Sequence, residues 1–261
     1  MGALASGDGI LDVPIDERLR GYDIANSGDD LLLYGYTYDE TTKKIMVMRT
    51  DGQGNAKQAI TISPLYGYTN TQYIKGTSDG GFVGLSTQNH GRNDGVWIGY
   101  EVFKVDAAGN VQWQTQLSTN KTTQDYIRDI TETKDGYMAV GGVTVKLDKN
   151  GTQLHYNTLP KDSFFSYITP NQLASGYVGV AGLTDTGRIA SENDLGGMVY
   201  VGDCIETPEG CFIGGSSSNH MPMLASVNTN GDVMWQSIYN IPSKAADENF
   251  DISKVFRLQD T

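Results

Sequence analysis

A short turn motif that recurs along the chain constrains the fold more than any other feature of the sequence. Thr77–Val83 (TSDGGFV) returns as Thr133–Val140 (TKDGYMAV). Weaker copies occur at Asn26–Leu32, Leu173–Val178 and Thr207–Ile213. Each copy joins two stretches of strand-forming residues through a turn that contains glycine, which is typical of a β-hairpin. Five hairpins of one kind predict a repeat protein.

A second hairpin motif follows most copies of the first. In it, Asp or Asn precedes a turn glycine, and an alternating strand follows, most clearly at Val111–Gln114 and Val233–Gln236. Its copies are Arg49–Asn55, Lys104–Asn110, Lys146–Gly151 and Val227–Asp232. Two hairpins per repeat, at a spacing of roughly 35 to 55 residues, form a four-stranded unit of the size of a propeller blade. We therefore predict an all-β fold, a β-propeller of about five to seven four-stranded antiparallel blades.

The propeller is expected to occupy residues 1–261 as a single domain, with residues 1–18 as a candidate N-terminal extension. Residues 182–197 show no clear second hairpin, so one blade is expected to be shortened or irregular. Residues 250–261 look like the opening strand of a further repeat, which either closes the ring with N-terminal strands or is cut short. Trp113 and Trp235 occupy equivalent repeat positions and are predicted to pack between blades.

Composition agrees with this fold and excludes one class of partner. The 261 residues include 32 Gly and 15 Tyr but only 19% charged residues, which favours short strands and turns over amphipathic helices. The net charge of −12 opposes binding to phosphate backbones, so nucleic acid is not an expected partner. No apolar run is long enough to cross a membrane, so the chain is not expected to span one. A lipid anchor in the full-length precursor stays open.

The two motifs resemble the glycine-rich propeller repeats of bacterial secreted and surface proteins. Those repeats alternate Asp-Gly-Gly-Tyr hairpins with Lys-x-Asp-x-x-Gly-Asn-x-x-Trp hairpins, which Asp79–Phe82 and Lys104–Trp113 follow here. The likeness covers most of the chain. Asp106–Trp113 is also similar, more distantly, to a hairpin of quinoprotein-like propellers, but no cofactor residue can be carried over. The resemblance implies an extracellular or cell-surface protein of a bacterium, with the periplasm as the alternative.

The candidate binding site comes from the longer connections. In a propeller, the loops between second and third strands and those between blades gather on one face, where ligands usually bind. The expected long segments are 37–44, 63–73, 86–97, 184–197, 216–223 and 240–249. The richest of them carries His90, Arg92, Asp94 and Trp97, which together can stack on a sugar ring and bind its hydroxyls. The alternative is an exposed loop in which Trp97 packs at a strand start.

Four further residues are secondary candidates on the same face: Tyr66, Tyr68, Arg188 and His220. No catalytic residue, metal ligand or cofactor is predicted, because His90, His155 and His220 lack zinc-ligand spacing and each Asp turn offers too few oxygens for calcium. Cys204 and Cys211 flank a tight hairpin, and they are predicted to form either a disulfide or two buried thiols.

These observations favour an exported, non-catalytic propeller that binds a glycan or a partner protein in the cell envelope through its long-loop face. One alternative is a polysaccharide hydrolase or lyase with two carboxylates at the channel mouth. Another is a structural subunit of an envelope complex, which an exposed apolar patch would favour.

Overall fold

The computed structural model describes residues 18–38, 43–65, 69–90, 97–118, 126–160, 163–176, 179–240 and 252. All regular secondary structure in these ranges is β-strand, which confirms the all-β prediction. Twenty strands form five four-stranded antiparallel sheets, and each sheet is a meander of consecutive strands. None of these described ranges contains a helix long and apolar enough to cross a membrane.

The chain divides into two compact units. Unit 1 contains sheets 1 and 2 together with the turn Lys149–Thr152. Sheet 1 consists of β1 (Arg18–Ser27), β2 (Asp30–Tyr38), β3 (Lys43–Thr50) and β4 (Ala56–Ile62). Sheet 2 consists of β5 (Thr69–Gly76), β6 (Phe82–His90), β7 (Trp97–Val105) and β8 (Val111–Leu117).

Unit 2 contains the rest of sheet 3 and all of sheets 4 and 5. Sheet 3 consists of β9 (Ile127–Thr133), β10 (Gly136–Gly141), β11 (Val143–Asp148) and β12 (Gln153–Thr158). Sheet 4 consists of β13 (Phe165–Ile168), β14 (Leu173–Gly176), β15 (Gly179–Leu183) and β16 (Ile189–Asn193). Sheet 5 consists of β17 (Met198–Thr207), β18 (Gly210–Ser217), β19 (Pro222–Asn228) and β20 (Val233–Ile238). The single-domain prediction stays a prediction, and residues 1–17 lie outside the described ranges.

The turn between the third and fourth strands has one construction in sheets 1, 2 and 5. In sheet 1, Asp51 Oδ1 accepts hydrogen bonds from the backbone N–H groups of Gln53 (2.9 Å) and Asn55 (2.8 Å). Gly54 then takes φ +86°, a left-handed conformation that glycine adopts without strain. Asp106 and Asn228 play the part of Asp51 in the other two sheets. The recurring Asp or Asn is therefore an Asx turn, as its spacing from glycine predicted.

Sheet 4 corrects two expectations about the repeat. The turn between β13 and β14 lies at residues 169–172, so the predicted turn copy that begins at Leu173 starts with β14 instead of containing the turn. The second hairpin of sheet 4, which the sequence did not reveal, is present and joins β15 to β16 through Thr184–Arg188. The Thr184 hydroxyl accepts the Arg188 N–H at 3.1 Å and so replaces the carboxylate of the other turns. Sheet 4 is shorter than the other sheets, because its strands have only four or five residues.

Neighbouring sheets pack face to face within each unit. In unit 1, Leu32 and Ile45 of sheet 1 pack with Phe82 and Phe103 of sheet 2, and both phenylalanines are fully buried. In unit 2, sheet 4 buries one face against sheet 3 and the other against sheet 5. The first strands lie beside each other, since β1 contacts β5 and β13 contacts both β9 and β17.

Sheet 5 leaves more large apolar side chains exposed than any other described sheet. Phe212 and Trp235 lie on one face with ring centroids 5.9 Å apart, and their exposed fractions are 38% and 45%. Trp235 therefore differs from its repeat equivalent Trp113, whose indole Nε1–H donates to the Lys149 carbonyl at 3.0 Å. Trp113 thus contacts the turn Lys149–Thr152, whereas Trp235 remains half exposed. The expectation that these tryptophans pack between blades stays a prediction.

Candidate functional site

The meander fixes which segments of a sheet lie at the same end. Because consecutive strands are antiparallel, the start of the first strand, the connection from second to third strand and the end of the fourth strand share one end. We call this the connection end of a sheet, and the opposite end, which carries the two tight turns, its turn end. The long segments that the sequence assigned to a ligand face were expected at the connection ends.

Of the four residues predicted for the loop site, only His90 and Trp97 lie among the described residues. His90 is the last residue of β6 and Trp97 is the first residue of β7, and the two are paired directly opposite each other. Arg92 and Asp94 lie outside the described residues, as do Tyr66 and Tyr68. The role predicted for this loop stays a prediction.

The two remaining candidates lie at opposite ends of their sheets. His220 occupies the connection between β18 and β19 at the connection end of sheet 5, where it adopts φ +53° and its N–H donates to the Ser217 carbonyl. Arg188 closes the tight turn after β15 and therefore lies at the turn end of sheet 4. The expectation that Arg188 shares a face with the long loops is wrong, because residues 184–188 form a hairpin turn.

The two cysteines are diagonal neighbours on one face of the β17–β18 hairpin. Cys204 is paired with Ile213, and Cys211 is paired with Glu206, so the thiols do not lie directly opposite each other. Both are free thiols, and Cys211 is buried. Hydrogen bonding to Cys204 and burial raise the pKa of the Cys211 thiol. A disulfide between them stays a prediction.

The structure brings together a different set of side chains in sheets 3 and 4. The Arg128 guanidinium carbon lies 5.4 Å from the ring centroid of Tyr126 and 5.1 Å from that of Phe164. The two ring centroids are 5.8 Å apart. Both distances from the cation are within the roughly 6 Å at which an aromatic face attracts it. We call these three residues the Arg128 cluster, and it lies at the connection end of unit 2.

Arg128 lies at a β-bulge in β9, which sets the direction of its side chain. Gly141 pairs with Ile127 and Val140 pairs with Asp129, so Arg128 is the extra residue of the bulge. A register shift of this kind interrupts the first strand of every sheet. The extra residues are Tyr22, Gln72, Arg128 and Ser166 in sheets 1 to 4, and β17 has two, Val199 and Gly202. Bulges commonly re-aim a side chain beside a functional site. Here the backbone feature is constant while the residue it presents varies, as expected of a binding surface on a fixed scaffold.

A close approach of two strands holds this bulge in place. A Cβ at Gly141 would lie 2.0 Å from the Tyr126 carbonyl oxygen, and a Cβ at Gly176 would lie 2.2 Å from the Phe164 carbonyl oxygen. Such contacts leave no room for any side chain at these glycines. The second strand therefore fixes the backbone from which each aromatic ring of the cluster projects.

The buried carboxylate of Asp129 links the bulge of β9 to the bulge of β13. Asp129 is 1% exposed, and it accepts the N–H of Ile130 at 2.8 Å and the N–H of Ile168 at 2.9 Å. Since Ile168 belongs to β13, the carboxylate links the first strands of sheets 3 and 4. Asp129 is thus a positioning residue for the cluster, and its acceptor groups are engaged by the backbone.

A third aromatic residue extends the row. Tyr126, Phe164 and Tyr200 each stand two residues before the extra residue of a bulge, in sheets 3, 4 and 5 respectively. Tyr200 is 49% exposed. Burial raises the pKa of the Tyr126 phenol, and the Arg128 charge partly offsets this effect, so the phenol remains neutral and able to donate a hydrogen bond. The row offers ring faces for stacking together with one fixed cation.

Sequence reasoning missed this set because its members lie in strand starts and not in long loops. The available signal was an aromatic residue at the same position in three successive repeats, before Ile127, Phe165 and Val201. That signal requires the first strands to be aligned on their bulges, which no turn motif marks. Among the described residues, no three His, Cys, Asp or Glu side chains converge as metal ligands would.

Comparisons with known proteins assign no family to the chain. No protein-family model matches it, and no curated protein sequence matches it.

Proposed function

We propose that this protein is a β-propeller that binds a glycan at the connection ends of its sheets, on the exterior of a bacterial cell. The observation that carries the proposal is the Arg128 cluster, in which an exposed guanidinium contacts two partly buried aromatic rings at the connection end of unit 2. Rings beside hydrogen-bond donors are the usual means of holding a sugar, because one face of a pyranose is apolar and its rim is polar.

Packing within the units supports the propeller part of the proposal. In unit 1, Gln58 of β4 donates to the Ala108 carbonyl in the turn of sheet 2 at 2.7 Å. In unit 2, Asn193 of β16 donates to the Gly231 carbonyl in the turn of sheet 5 at 2.9 Å. The fourth strand of one sheet thus contacts the glycine turn of the next sheet, and the first strands lie side by side. Blades stacked around an axis have both relations.

The resemblance to repeats of secreted bacterial propellers is the basis for the proposed location. In this proposal, the protein binds its ligand without catalysing a reaction. A hydrolase or lyase would need two carboxylates facing a substrate. Among the described residues, the carboxylate nearest to the cluster in sequence is Asp129, which is buried and bound by two backbone N–H groups.

The proposal is tested by screening the purified protein against a broad array of neutral and acidic glycans. We expect saturable binding to a subset, which Phe164→Ala and Tyr200→Ala each weaken by about 3- to 10-fold through lost stacking. The matched control is Phe212→Ala, which removes an exposed aromatic ring from a different face of unit 2. Thermal unfolding of each variant shows whether it is folded.

Failure of every glycan to bind would direct attention to the remaining alternative, a structural subunit of an envelope complex. The exposed apolar residues of sheet 5 are the observation in its favour: Phe212, Met234, Trp235, Ile238 and Tyr239. Equal loss of glycan binding in the Phe212 and Phe164 variants would also contradict a site at the Arg128 cluster.

A further inference from the structure

Arg128 carries a charge that the described fold does not use. Its side chain is exposed, and within the described ranges its contacts are the two ring faces and no carboxylate. The buried cations of the protein are different, because Arg49 pairs with Asp30, Lys104 with Asp79 and Lys146 with Asp135. Structural cations here have a turn aspartate as partner, whereas Arg128 is presented at the connection end.

Stacking on two rings leaves the donor edge of the guanidinium available. The planar group has five N–H donors in its own plane, and the two ring centroids are only 5.8 Å apart, so both rings contact the guanidinium from one side. The rings also restrict the rotation of a side chain that is otherwise costly to order on binding. A guanidinium held in this way matches a carboxylate, which accepts two parallel N–H···O bonds from one edge.

The overall negative charge of the protein does not argue against an anionic ligand at this position. The net charge of −12 is spread over the chain, and at physiological salt charges more than about 8 Å away are largely screened. The nearest carboxylate in sequence among the described residues, Asp129, points into the β9–β13 contact and accepts two backbone N–H groups there. Binding is therefore governed by local contacts.

We propose that the glycan bound at the Arg128 cluster is acidic, and that Arg128 binds the carboxylate of a uronic or sialic acid unit while the aromatic row stacks on the sugar rings. This inference rests on the proposed glycan-binding function. It specifies the chemical class of the ligand, an acidic glycan, and it attributes selectivity for the acid to one bulge residue, Arg128. None of the other bulge positions in the first strands holds a basic residue, so the acidic unit is assigned to sheet 3.

The experiment uses ligands that differ only in charge. Oligosaccharides containing galacturonate, glucuronate, mannuronate, guluronate or sialic acid are each titrated calorimetrically beside their methyl esters, together with neutral oligosaccharides. We expect at least one acid to bind about 10- to 100-fold more tightly than its ester, in line with a charged hydrogen-bonded pair. Arg128→Gln removes this difference, and Arg128→Lys retains only part of it because the fork is lost.

Arg188→Gln is the matched control, since Arg188 is also an exposed arginine of unit 2 but lies at a turn end. It should leave the preference for the acid unchanged. Esters or neutral glycans that bind as tightly as the acids, with no effect of Arg128→Gln, would overturn the acidic-ligand inference and leave glycan binding intact. Absence of binding to every acid, ester and neutral sugar would overturn both.

Discussion

At the residue scale, the buried ammonium group of Lys104 links β7 to the turn that contains Asp79. Its side chain is 4% exposed, and its ammonium contacts Asp79 Oδ1 at 3.1 Å, Asp79 Oδ2 at 2.8 Å and the Val105 carbonyl at 2.8 Å. Burial alone would raise the pKa of Asp79. The hydrogen bonds from Lys104, Thr77 and the Gly81 N–H outweigh burial and lower the pKa to about 2.

This shift predicts a pH dependence of stability with a definite sign. The ordinary pKa of Asp79 is 3.8, and the folded value is lower, so its contribution is present above pH 3.8 and is lost as the pH falls to about 2. We expect Asp79→Asn to lower the free energy of unfolding at pH 7, and the difference from the natural protein to shrink through that window. Urea unfolding at several pH values measures it, with the exposed Asp29→Asn as control. A difference independent of pH would contradict the assignment.

Some residue roles could be predicted and others could not. Asp51 and Asp106 were assigned to turns because an Asx turn needs only a local spacing to glycine. The pairing of Lys104 with Asp79 depends on the register of β6 and β7, and the exposure of Arg128 depends on a bulge. Neither feature leaves a local trace in the sequence.

At the scale of elements, the glycine turn that follows a third strand is the part that contacts its neighbour. Thr115 of β8 donates to the Gly151 carbonyl at 2.7 Å, and a Cβ on Gly151 would lie 2.4 Å from the Trp113 ring. Gly151 has φ +81°. This turn therefore needs glycine for two separate reasons, its backbone conformation and its packing.

At Gly54, only the backbone conformation requires glycine, because no packing contact does. It has φ +86° in the equivalent turn of sheet 1, and a Cβ there would have nothing within 4 Å. We expect Gly54→Ala to lower the free energy of unfolding by about 1 kcal/mol, the backbone cost alone. Gly151→Ala adds a steric clash and should lower it by about 2–4 kcal/mol. Equal losses in thermal or urea unfolding would show that Trp113 does not pack on the turn.

Element prediction succeeded where the two recurring turn motifs are clear and failed in sheet 4, where the first turn lies at residues 169–172 and the second turn was missed. The hairpin at Thr184–Arg188 escaped notice because a threonine hydroxyl takes the place of the carboxylate. Hydroxyls form such turns more weakly and are common elsewhere in sequences, so the pattern gave little signal. In sheets 1, 2, 3 and 5, the four strands followed from the turn motifs.

At the scale of the whole molecule, the sequence indicated the end of the sheets at which a site is expected but not the residues. Connections were recognisable by their length, which is a local property. The Arg128 cluster joins Tyr126 and Phe164 from two successive repeats, and Asp129 sets their spacing through a bond to Ile168. Such a contact is a consequence of how sheets stack, which turn chemistry does not encode.

The most direct test of the central claim is a map of where a glycan touches the protein. Backbone and arginine side-chain NMR signals would be followed during titration with the tightest-binding oligosaccharide from the array. The account predicts saturable shifts at residues 126–130, 164–168 and 200–204 and at the Arg128 Nε–H group. Shifts confined to the turn ends, such as residues 51–55 and 228–232, or to the sheet 5 face around Trp235, would contradict it.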